Sequence, residues 1–237
     1  MMNSVFISQT QVLSIDVHRL SVNIENVLQA LGMKLTDADD YLLNLIHPIS
    51  KQSMLLAHPE ASFSFFENPK FDFEHNVLWL NNIDLKLGKK ITSALKKSEG
   101  MFVFAATIGH DLENWSKQQM KAGNSLEGYI IDIVGSELAE KTADYLHNHL
   151  QSLTESNGYG ITNRYSPGYC NWPVTDQHNL FKLFGESNYG IELSESSLML
   201  PVKSVSGIMG VGKGLKRAEY KCRFCDDDKC ILRKQFR

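Results

Sequence analysis

The sequence predicts an α+β fold: one compact domain over residues 1–237 with a helical N-terminal portion over residues 1–60. Three observations carry this prediction. Residues 100–108, GMFVFAATI, are a continuous apolar run of the kind that fills a sheet centre. Residues 125–150, SLEGYIIDIVGSELAEKTADYLHNHL, keep a core-facing stripe at 126, 130, 133, 134, 138, 142, 145, 146 and 150, which spans about seven helical turns. The strand-like and helix-like runs do not alternate regularly, which favours segregated elements over a doubly wound parallel sheet.

In chain order, VNIENVLQAL (22–31) and DADDYLLNLI (37–46) have helical spacing, the second with Thr36 as its expected N-cap. From Ala61 the period changes to two. ASFSFF (61–66), NVLWLN (76–81) and IDLKLG (83–88) read as short strands ahead of the apolar run. Helices are expected at 89–97, 111–121 and 176–184, and strands at 190–201 and 203–211. A cysteine-containing tail occupies 218–237.

Composition excludes several classes. With 237 residues and 43% apolar content the chain can bury a substantial core. Its apolar runs fall short of the roughly 20 residues needed to cross a bilayer. The first residues have no basic leader or sustained apolar stretch, so a cytoplasmic location is expected. A net charge of −3 is unlike the basic footprint of nucleic-acid binders. The expected partners are small molecules or proteins, with no nucleic acid and no membrane.

The familiar phosphate-loop, dinucleotide, zincin and nucleophile-elbow motifs are absent. GIMGVGKGLK (207–216) reads as a hairpin turn rather than a phosphate cradle, because its spacing departs from the phosphate-loop pattern. More informative is RYSPGYCNWP (164–173). Arg164 offers a fork for a carboxylate, Pro167 and Gly168 make a turn with accessible backbone, and Tyr165, Tyr169 and Trp172 offer aromatic faces. The stretch is either a ligand-binding floor or a turn whose tyrosines pack on the core, with Arg164 solvated. On the long helix, Glu137, Glu140 and Asp144 form an acidic edge, suited to an ammonium group or simply to water. Cys222, Cys225 and Cys230 have C-x2-C-x4-C spacing, which fits zinc or an iron–sulfur cluster with Cys170, a histidine or an external ligand as the fourth; the alternative is three reduced thiols in a flexible tail.

Three blocks, in order, resemble the activation domain of cobalamin-dependent methionine synthase in a free-standing form. They are LAEKTADYLH (138–147), RYSPGY (164–169, the family's RxxPGY signature) and LSESSLMLPVKSVSG (193–207). Together they lie within roughly residues 125–210, about a third of the chain. The resemblance implies a twisted antiparallel sheet flanked by helices. It also implies S-adenosylmethionine binding and support of reductive methylation of cob(II)alamin, with the cobalamin on a separate methionine synthase polypeptide and a flavodoxin-like reductant. By motif, Glu140, Arg164, Ser166, Gly168 and Tyr169 would contact S-adenosylmethionine. Glu195, Ser196, Met199, Ser204, Ser206 and Gly207 would be supporting strands or a rim toward the corrinoid. The family's acidic contact upstream of the long helix has no match, and Tyr220 is the candidate for its aromatic contact after the third block. The cysteine tail is foreign to the fused domain, and it supports an alternative: a metal or iron–sulfur adaptor for another corrinoid enzyme.

Overall fold

A computed structural model of the chain describes Phe6, residues 9–185 and residues 190–218. Tyr220, Cys222, Cys225 and Cys230 therefore lie outside the described residues. The strands are β1 (Gln11–Ser14), β2 (Glu60–Glu67), β3 (Lys70–Asp72), β4 (Val77–Leu80), β5 (Ile83–Lys86), β6 (Gly100–Thr107), β7 (Gly160–Ile161), β8 (Glu192–Leu193), β9 (Met199–Leu200) and β10 (Ser204–Gly212). The helices are α1 (Ile24–Ala30), α2 (Asp40–Leu56), α3 (Lys89–Leu95), α4 (Asp111–Lys121), α5 (Ser125–Glu155) and α6 (Gln177–Lys182). The fold is α+β: helices flank a five-stranded antiparallel sheet of order β1-β2-β6-β10-β7, beside smaller sheets β3-β4-β5 and β8-β9.

The apolar run at residues 100–107 is the middle strand, β6, and every residue of it is buried. Successive side chains of a strand point to opposite faces. Phe102, Phe104 and Ala106 therefore enter one core with α1, α2, α4 and α5, while Met101, Val103 and Ala105 enter a second core with β4, β5, α3 and α6. The first core also holds Phe63 and Phe65 of β2 and the stripe of α5, including Ile130, Val134, Leu138, Leu146 and Leu150.

The N-terminal portion is helical as expected and adds an edge strand, β1, paired along β2 from Gln11↔Phe63 to Ser14↔Glu60. Helix α2 differs from the sequence reading at both ends. Asp39, not Thr36, is its N-cap, its side chain accepting the Leu42 N–H at 2.8 Å. The helix also runs through Pro48 to Leu56, because Ile49 and Ser53 are buried on the side that packs along α5 and that packing outweighs a missing backbone donor.

The glycine-rich run at 207–216 is corrected as well. It is mostly the end of strand β10, and the turn comes only at Lys213–Gly214. Its glycines serve close approach of backbone. A Cβ on Gly207 would overlap the Tyr165 carbonyl, and one on Gly210 would overlap the Ser98 hydroxyl. Residues after β7 can thus run along β10: Thr162 N–H donates to Gly210 C=O at 2.9 Å, and Tyr165 and Ile208 exchange backbone hydrogen bonds of 3.0 and 2.8 Å.

Gly207→Ala is therefore expected to destabilise the protein by about 1–3 kcal/mol, the usual cost of overpacking. Urea unfolding checks this: the midpoint falls with an unchanged slope.

Candidate functional site

Residues 164–172 leave the edge of the main sheet and cross to the second core. Alternation along the edge sends Arg164 toward α5 and Tyr165 into the second core beside Ile208. Burial, then the nearby Cys170, pushes the Tyr165 phenol up from its ordinary value. The loop then tightens. Gly168 has φ +93° and donates its N–H to Trp172 C=O at 2.8 Å, while Trp172 N–H donates to Tyr169 C=O at 2.9 Å. Cys170 and Asn171 are also left-handed, at φ 51° and 64°. The Cys170 carbonyl sits where a Cβ on Gly88 would be, so this bend is seated on the start of α3.

Trp172 is a correction to the sequence reading. Its ring is not a ligand face: it is 1% exposed, in the second core, with Nε1–H donating to Asp176 Oδ2 at 2.8 Å. Asp176 is itself buried, and the same oxygen accepts the Lys86 N–H. One buried carboxylate oxygen with two donors on it ties the loop to β5; such charge-assisted bonds are the stronger kind. Tyr169, by contrast, is 57% exposed.

Arg164 joins the acidic edge of α5. Its Nη2 lies 3.2 Å from Glu140 Oε2 and 3.1 Å from Asp144 Oδ1. The arginine side chain is 17% exposed and the glutamate 57%, so a covered cation stands beneath an open carboxylate. Among the described residues, Arg164 Nη1 is buried without a hydrogen-bond partner. Protein packed around Glu140 pushes its carboxyl up from the ordinary range, against the pull of Arg164, with Asp144 and Glu137 adding to the rise.

The pair belongs to a longer row. Asp132, Ser136, Glu140, Asp144 and Asn148 recur every fourth residue of α5 and so line one winding track. Lys203, just before β10, reaches Asp132 Oδ1 at 2.7 Å and donates to Ser136 Oγ at 2.9 Å, its stem lying over Gly135. Arg217 contacts Asp144 Oδ1 at 3.5 Å and donates to Asn148 Oδ1 at 2.9 Å. Sequence reasoning missed Lys203, Arg217 and Asp176. For Lys203 a signal existed, since Gly128 and Gly135 interrupt a helix otherwise free of breakers and mark places where something passes close. Nothing local marks Arg217.

The third sequence block is placed as follows. Glu195 and Ser196 are exposed in the turn between β8 and β9, where the Ser196 and Ser194 hydroxyls are 2.9 Å apart. Met199 packs against the second core. Ser204 donates to Pro201 C=O at 2.7 Å and its Oγ lies 2.9 Å from Thr107 Oγ1, and buried Ser206 accepts from Gln177 Nε2 at 2.7 Å. Ser166 lies against Gly207. Among the described residues no group of three or more His, Cys, Asp or Glu is placed to hold a metal ion, and no helix is long and apolar enough to cross a membrane.

Fold and site together define an α+β module with a charged surface site where its longest helix meets the edge of its sheet. Residues 91–231 match the family described as vitamin B12 dependent methionine synthase, activation domain. The chain belongs to that family. Its structure is similar to a crystal structure of the MetH reactivation domain bound to AdoHcy, with a TM-score of 0.65 and 16% identity over 92% of this chain and 82% of that one.

His147 lies on α5 beneath this site, 1% exposed, with no hydrogen-bond partner for Nε2 among the described residues. Burial, then the nearby Arg217 and Arg164, pulls its pKa down to about 3. A depressed folded-state pKa means that stability is complete above the unfolded value near 6.5 and is lost as pH falls toward 3. Relative to His147→Gln, the wild-type protein is expected to lose stability below about pH 6.5 by up to about 1.4 kcal/mol per pH unit. Urea titrations at stepped pH check this, and parallel profiles would contradict it.

Proposed function

We propose that this protein binds S-adenosylmethionine at the junction of α5 and the 164–169 edge, and supports reductive methylation of cob(II)alamin held by a separate cobalamin-dependent methionine synthase polypeptide. The observation that carries the reading is the pairing of covered Arg164 with exposed Glu140 on a family-matched helix, next to the open ring of Tyr169. S-adenosylmethionine has a carboxylate, two positive centres and a flat adenine, and these residues fit it. Arg164 would take the carboxylate, Glu140 the ammonium, and Tyr169 an apolar face of the ligand. Ser166 and Gly168 would line the ligand at the turn, where Gly168 is exposed. The binding of AdoHcy by the structurally similar MetH domain is consistent with this assignment.

When bound, S-adenosylmethionine supplies the methyl group. The work of this chain is to bind and orient the donor and to shield it from water at the partner's surface. Accordingly the protein is a component of a methyltransferase activity and not a catalyst on its own. Glu195, Ser196 and Met199, with the scaffold residues Ser204 and Ser206, form the rim toward the corrinoid in this reading. The electron comes from a flavodoxin-like donor. All 237 residues act as one cytoplasmic unit. Cys222, Cys225 and Cys230 carry the metal or iron–sulfur alternative, which rests on their spacing alone.

Arg164→Ala is expected to weaken S-adenosylmethionine binding by at least about 30-fold, the scale for removing one partner of a charge pair, with an unchanged circular dichroism spectrum. Isothermal titration of both proteins tests it; equal affinities would remove Arg164 from the site.

A further inference from the structure

We propose that Asp144 and Arg217 determine how readily Arg164 accepts a ligand carboxylate, Asp144 passing from Arg164 to Arg217 as the ligand arrives. The inference rests on the reading of Arg164 as a carboxylate contact. In the free protein that guanidinium is already engaged: Nη2 is shared by Glu140 and Asp144, and Nη1 is buried. A third carboxylate can reach Nη2 only if one of the two withdraws. Withdrawal leaves a carboxylate without its cation, a cost that depends on what else is near.

The two acids differ in this respect. Among the described residues, the one ion pair of Glu140 is with Arg164, whereas Asp144 has two guanidinium groups on a single oxygen, Oδ1, at 3.1 Å from Arg164 and 3.5 Å from Arg217. Asp144 is also the less exposed of the two, 36% against 57%, so it has more to lose from being stranded and more to gain from a second cation. Arg217 is held ready. Its Nη1 donates to Asn148 one turn further along α5, and the next residue, Ala218, donates its N–H to Asn163 Oδ1 at 2.8 Å, beside Arg164 in the chain. Leu215 packs its backbone against Gly160. The chain around Arg217 is thus fastened to both elements that build the site. Handover of Asp144 needs no movement of either element, only a shift of side chains already in contact.

The test has one arm with ligand and one without. In titrations with S-adenosylmethionine, Arg217→Gln is expected to weaken binding about fivefold, the scale of a partly exposed charge pair. In an Asp144→Asn background the same change is expected to alter affinity less than about twofold, since nothing remains to hand over. An equal loss in both backgrounds, or no loss in either, overturns the inference. The second arm uses urea unfolding of the free protein and measures the coupling between Asp144→Asn and Arg217→Gln. That coupling is expected to rise when Arg164→Ala releases Asp144, and an unchanged coupling overturns the handover. Absence of S-adenosylmethionine binding to the wild-type protein is a different result. It would sink the methyl-donor reading while the ligand-free arm still decides whether Asp144 changes partners.

Discussion

Strand β6 has no polar face, and most of the architecture follows from that. A half-buried sheet needs one covering layer; a middle strand that is apolar on both sides needs two. Helices α1, α2, α4 and α5 supply one layer. The other is assembled from a small sheet, two short helices and an irregular loop, so residues 164–172 are a structural cover before they are anything else. Trp172 fills that role by burying its ring and giving its N–H to Asp176. Because the same loop begins on the edge of the main sheet, alternation places Arg164 on the opposite side, at α5. Core and site are two faces of one short piece of backbone.

The site gains its character from unequal exposure. A guanidinium that is mostly covered keeps its geometry and loses little to water, while an exposed carboxylate beside it stays available. Lys203 and Arg217 extend the same arrangement in both directions along α5, each cation crossing from a different segment to the polar track. The helix therefore has two distinct roles along its length. Its apolar stripe is the spine of the first core, and its track of every fourth residue is an electrostatic seam to which later parts of the chain are attached.

Much of this was legible in the sequence. Helix α4 begins and ends where its periodicity does, at Asp111 and Lys121, and the long stripe of α5 located both the main core and the acidic edge. The short segment QVLS at Gln11–Ser14 gave no usable period, because four residues of a partly exposed edge strand carry little pattern. Local apolar spacing carries the second helix only to Ile46, whereas tertiary packing carries it through Pro48 to Leu56. The glycines from 207 to 211 fall in both the strand and the hairpin turn that the sequence predicts; the strand holds, and the glycines provide room for close neighbours, the Tyr165 carbonyl at Gly207 and Ser98 at Gly210, which sequence alone cannot distinguish from a bend. RYSPGY and the acidic edge were visible separately. That Arg164 rests on Glu140 and Asp144 depends on an edge strand pairing with β10, a contact between distant segments that no local pattern encodes.

The seam along α5 also bears on the order in which the protein matures. Its carboxylates and amides lie between residues 132 and 148, but the cations that meet them arrive from residues 164, 203 and 217. The contacts of Lys203 and Arg217 close much longer loops than those of Arg164, and loop closure must precede the contacts that reward it. The helix and its apolar stripe can therefore consolidate well before the charged track is filled. On a growing or refolding chain, competence to hold a zwitterionic ligand comes last, after the hydrophobic framework is already standing.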